Sequence, residues 1–160
     1  MGLIFLMTTR GIPQLYYGTE LLMDGNYSIH PTVRMEVPGG WPGDQVNEFT
    51  RTGRTKEQNE AYDFMSKLLQ WRKTKPVIHS GKLTQFIPED NVYVYFRHQA
   101  NETVMVLMNG NDKEMKINTS RYSECMKGKT KAVNVLSAEV LQNIQEITLP
   151  SMTAVILELQ

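Results

Sequence analysis

The chain has 160 residues, with 17 basic and 17 acidic side chains, 41% hydrophobic residues and one cysteine. That length buries a real core and fits one domain plus an appended segment. Zero net charge argues against a nucleic-acid or polybasic membrane partner, because phosphate binding needs clustered positive charge; the lone Cys125 excludes an internal disulfide.

The opening MGLIFLMTT has no basic leader and no small-residue cleavage site, and its apolar run is far too short to span a bilayer. It reads as neither signal peptide nor anchor. IPQLYY, residues 12–17, is strand-like, because Leu15, Tyr16 and Tyr17 favour a pleated surface and Pro13 belongs near its start. From Leu22 to Arg54 periodicity vanishes. DGNYSIHP and VPGGWPGD are dense in turn residues, which predicts one long irregular excursion. Trp41, set among prolines and glycines, argues for order there.

Thr55 with Gln58 forms a capping box. Ala61, Phe64, Met65, Leu68 and Leu69 then repeat on one helical face, and Pro76 stops the helix. The basic run RKTK at 72–75 falls at the helix C-terminus, where cations suit the macrodipole. Past Pro76 the period drops to two. KLTQFI, VYVYFRHQ, TVMVLMN, EMKIN, KAVNVL, QEITLP and TAVILEL read as strands, most of them divided by tight turns. In the second of these, Val92, Val94 and Phe96 share one face, with Tyr93, Tyr95 and Arg97 on the other. The fold class is mainly β: an antiparallel sandwich or Greek key over about 77–160, preceded by a βα-type unit at 1–76. Ten methionines suggest an adaptable core.

His30, His79 and His98 have no metal-ligand spacing, and no nucleophile elbow or phosphate-cradling loop is present. No metal and no cofactor is expected. The acids Glu102, Glu114, Glu124 and Glu139 read as solvated carboxylates.

RGIPQLYYGTE, residues 10–20, resembles the eighth-strand segment of the α-amylase family (glycoside hydrolase family 13). Gly11, Pro13, Gly18 and Glu20 match its pattern in order and spacing. HPTVR at 30–34 resembles the family's Asp-Pro-x-x-Arg, with His30 where aspartate is usual. VPGGWPGDQVNEF is similar to the Phe-Pro-Gly-Gly-Trp loop of neopullulanase- and cyclomaltodextrinase-like members. LLQWRKTKPVIHSGKL and LPSMTAVILEL resemble the helix entering the C-terminal domain and that domain's closing strand.

The resemblance implies that residues 12–17 are the last strand of a truncated (β/α)8 barrel, 3–7 the tail of the preceding helix, and 22–54 a loop on the active-site face. It also implies that the helix at 55–75 closes the ring. Arg34, His30 and Trp41 are then substrate-side candidates, while Gly11, Pro13, Gly18 and Glu20 are structural, Glu20 bracing the loop. Tyr16 and Tyr17 suit barrel packing or sugar stacking. Retaining hydrolysis needs two carboxyl groups roughly 5 Å apart; the resemblance implies that these and a third carboxylate come from strands four, five and seven. A chain starting after strand seven is expected to be inactive alone, its partners being the missing N-terminal barrel and, through the parent, α-glucan oligosaccharides. Self-association or disorder of residues 1–20 is a further expectation, and similar bacterial enzymes suggest a periplasmic address. A carbohydrate-binding sandwich with a Tyr93–Tyr95 aromatic platform is the competing reading.

Overall fold

Period-two alternation carries most of the fold. In the computed structural model, which describes residues 1–160, eight strands follow two helices and a short third one. The helices are α1 (Gly2–Thr8), α2 (Lys56–Lys73) and α3 (Pro76–Ser80). The strands are β1 (Lys82–Gln85), β2 (Val92–Gln99), β3 (Glu102–Asn109), β4 (Met115–Asn118), β5 (Ala132–Asn134), β6 (Val140–Leu141), β7 (Glu146–Leu149) and β8 (Thr153–Leu159). A six-stranded sheet runs β1-β2-β3-β8-β5-β6 and a two-stranded sheet pairs β4 with β7. Every ladder is antiparallel. β8 lies between β3 and β5, far from both in sequence, as in Greek-key connections.

The two sheets enclose one core. Val92, Val94 and Phe96 from β2, Met105 and Leu107 from β3 and Leu157 from β8 meet Ile117 and Ile147 from the small sheet. The face of β2 holding Tyr93, Tyr95 and Arg97 is not solvated. Tyr95 and Arg97 are fully buried, with the Tyr95 hydroxyl 2.5 Å from Thr8 Oγ1 of α1. An aromatic platform is therefore absent: Tyr95 is packed against α1, and half-buried Tyr93 donates its hydroxyl to Gln85 Oε1 at 2.7 Å. Because both faces of this sheet are covered, residues 94–97 are buried consecutively rather than alternately.

The chain divides into two compact units, Met1–Pro13 with Leu68–Gln160, and Gln14–Lys67. The capping box of α2 is present in both directions, Thr55 N donating to Gln58 Oε1 at 2.9 Å and Gln58 N to Thr55 Oγ1 at 3.2 Å. One expectation needs correction, and one is extended. Residues 12–16 carry no regular structure, since a strand exists by pairing and no segment of this chain forms a ladder with them. Pro76 does end α2, but it also starts α3, a role its fixed φ and missing N–H allow at a first helical position.

Candidate functional site

The unit Gln14–Lys67 holds every substrate-side candidate. Tyr16 and Tyr17 are neighbours with ring centroids 4.6 Å apart at 40°, and the Tyr17 hydroxyl donates to the Met35 carbonyl at 3.1 Å. Gly18 follows at φ 80°, and Met23 Sδ lies 2.4 Å from where its Cβ would stand. The left-handed backbone favours glycine here, and any side chain would also displace that of Met23. Thr19 Oγ1 donates to the Tyr16 carbonyl at 2.6 Å, closing the turn. Glu20 sits half-buried in the single 3-10 turn Thr19–Leu21, and its carboxylate accepts no hydrogen bond from the chain.

Residues His30–Arg34 form a second 3-10 turn, with Pro31 at its start. Thr32 pins it: its hydroxyl accepts from Asn26 N at 2.8 Å and donates to the Ile29 carbonyl at 2.8 Å. That brings Thr32 against Gly25, whose Cβ would stand 2.4 Å from the Thr32 carbonyl oxygen. A cavity of about 220 Å³ results, lined in part by Tyr16, Tyr17, Met23, Asp24, Thr32 and Val33. Arg34 and His30 are exposed on the turn. Partial desolvation and then Tyr16 push the Tyr17 phenol above its usual range, while Arg34 pulls in the opposite sense, so the Arg34 charge is felt at this cavity.

Trp41 stands on its own turn. Its N–H donates to Asp44 Oδ2 at 2.9 Å and Asp44 N donates back to the Trp41 carbonyl at 3.2 Å, so the turn holds without the ring. The indole is 67% exposed. The return of the excursion is tied down by side chains the sequence did not single out. Arg54 donates to the Glu48 carbonyl at 2.9 Å and stacks 3.8 Å over the Tyr62 ring. Asn59 donates to the carbonyls of Arg51 and Thr55, both at 3.0 Å. Their type and spacing carry no motif, so only the fold exposes these roles.

Chemically the cavity offers phenols, an adjacent guanidinium and one lining carboxylate, Asp24. Retaining glycoside hydrolysis needs a pair roughly 5 Å apart. The arrangement can contact hydroxyl-rich ligands, and Asp24 is the one carboxylate on its lining. No group of three or more His, Cys, Asp or Glu is placed to hold a metal.

Residues 83–158 match the family described as the cyclo-malto-dextrinase C-terminal domain, the stretch that runs from β1 to β8. The chain is 33% identical over 110 residues to a cyclomaltodextrin glucanotransferase from Thermoanaerobacterium thermosulfurigenes, covering 69% of this chain and 13% of that protein. It is 32% identical over 110 residues to an α-amylase from Niallia circulans, covering 69% and 18%. The chain corresponds to a C-terminal part of an α-amylase family enzyme. The crystal structure of an Anoxybacillus α-amylase shares its fold, with TM-score 0.73 and 21% identity over 99% of this chain and 31% of that one. This α-amylase-family chain thus spans well under half the length of the relatives it matches. No helix in it is long and apolar enough to cross a membrane.

Proposed function

We propose that this chain is the supporting, non-catalytic end of an α-glucan-degrading glycoside hydrolase of neopullulanase-like specificity. The observation that carries the reading is the match of residues 83–158 to a cyclomaltodextrinase-type C-terminal domain, in a chain whose relatives are named for action on α-glucans. On this reading residues 1–76 complete a barrel and 77–160 form the accessory sandwich. The catalytic carboxylates belong to the rest of the parent protein, and the chain alone is inactive.

Sugar contact falls to the excursion between Gly18 and Arg54. Arg34 donates to glucose hydroxyls from the His30–Arg34 turn. His30 contributes one donor and one acceptor when neutral, where a carboxylate would offer acceptors only. The exposed Trp41 ring is free to stack on a pyranose face.

The test pairs an activity assay with calorimetry. Maltooligosaccharides and pullulan should not be hydrolysed by the chain, and any heat with maltoheptaose should be lost in Arg34→Ala or Trp41→Ala. Turnover would overturn the assignment of the catalytic acids to another part of the parent. Binding that survives both substitutions would remove the excursion from sugar recognition.

A further inference from the structure

Arg97 is fully buried and has no carboxylate partner. Its Nη1 donates to the Thr8 carbonyl at 3.0 Å and the Thr9 carbonyl at 2.8 Å, and Nη2 donates to the Gly81 carbonyl at 2.9 Å. Nε is buried without a partner. Two further cations, Arg72 and Arg10, oppose its charge, while Tyr95 acts in the opposite sense. Arg72 adds a bond of its own, Nη1 to the Met7 carbonyl at 2.5 Å.

Four guanidinium N–H bonds therefore converge on three consecutive carbonyls, Met7 to Thr9, and on Gly81. The first three lie at the C-terminal end of α1, where unsatisfied carbonyls and the helix dipole favour a cation. α1 also buries Ile4, Met7 and Thr8 and sets Phe5 against the Tyr93 and Tyr95 rings. A buried guanidinium is costly unless its donors are satisfied, and these carbonyls are available only while α1 is helical and seated.

We propose that Arg97 and Arg72 are positioning residues that latch α1 onto the sandwich through its terminal carbonyls. Seating of α1 and satisfaction of Arg97 are then one cooperative event. Release of α1 admits water to Arg97. The latch ends at Thr9.

Hydrogen exchange on the full chain tests this, comparing wild type with Arg72→Met, Arg97→Met and Arg97→Lys. The reporting amides are Phe5, which bonds to the Met1 carbonyl, and Thr9, which bonds to the Phe5 carbonyl. Val106 and Ile156, paired across β3 and β8, serve as the internal reference. Arg72→Met should speed exchange at Phe5 and Thr9 by about tenfold, as expected for losing one charge-assisted bond, with the reference amides unchanged. Arg97→Met should exceed that, and Arg97→Lys should fall between it and wild type, because ammonium keeps the charge without the fork. Unchanged exchange at Phe5 and Thr9 in Arg72→Met and in a folded Arg97→Met overturns the proposal. Arg97→Lys behaving no better than Arg97→Met overturns it too, since bulk alone would then explain the site. Should Arg97→Met fail to fold, the Arg72→Met result decides.

Discussion

Asn109 closes β3 and uses its whole side chain. Nδ2 donates to the carbonyls of Lys113, Leu149 and Pro150 at 2.9, 3.2 and 2.9 Å, and Oδ1 accepts from Asn111 N at 2.9 Å. The amide thus ties the end of β3 to the turn after it and to the end of β7. Asn109→Ala would strip partners from buried carbonyls, each such loss costing about 1–3 kcal/mol. A drop of about 2–3 kcal/mol in urea unfolding is expected, and Asn109→Asp should be comparable because a carboxylate cannot donate. A change below about half a kcal/mol would show that the network is solvated.

Tyr95 gives a pH signature. Burial pushes its phenol up to about 12, against partial relief from the Thr8 hydrogen bond and Arg97. The unfolded chain ionises this group near pH 10. The folded pKa is the higher of the two, so the contribution is complete below pH 10 and is lost as pH rises from 10 to 12. The loss is on the order of 2 kcal/mol. Tyr93 and Tyr122 are also raised by burial, so the informative quantity is the difference between wild type and Tyr95→Phe in denaturant midpoints over that window. A constant difference would mean that Tyr95 is far more solvated than its packing under α1 indicates.

Among the elements, α2 is the most legible in sequence, because its start is written in two side chains. Thr55→Ala should cost about 1 kcal/mol and fray the first turn, visible as faster exchange at Asn59, whose N–H bonds to the Thr55 carbonyl. The strands β2, β3 and β8 are equally legible, each being long enough for alternation and bounded by turn residues. β6 is not, since two residues cannot display a period. Nor is the 3-10 segment Thr119–Cys125, where TSRYSEC has polar residues on every side. At β2 alternation shows which residues share a face and leaves Tyr93 and Tyr95 open between a surface platform and packing under a helix; only the fold shows that α1 covers Tyr95. Within the candidate site, Gly18 was legible only through its place in the family pattern; its left-handed backbone, φ 80°, is the physical reason glycine stands there. The anchoring by Arg54 and Asn59 was not, since it consists of side chains meeting main-chain carbonyls that carry no sequence identity.

For the molecule as a whole, α1 and the chain after it leave apolar side chains in water. Phe5 and Leu6 are exposed on α1, and Ile12 is 99% exposed. Exposed apolar surface of this kind favours association at about 25 cal/mol per Å² buried. Sedimentation velocity of the chain is expected to show concentration-dependent self-association, weakened by Leu6→Ser together with Ile12→Ser. A clean monomer with residues 1–20 protected from exchange would sink that expectation.

The place of β8 bears on how the protein is made. It is synthesised after the seven other strands, yet it occupies the middle of the large sheet, joining β3 on one side to β5 on the other. On the ribosome, β1-β2-β3 and β5-β6 therefore emerge as separate pieces with their inner edges bare, and such edges invite pairing with other chains. The sandwich cannot close until Thr153–Leu159 has left the exit tunnel. A stop codon at Thr153 would remove the keystone rather than the fringe, and a nascent chain paused there would depend on chaperones to stay soluble.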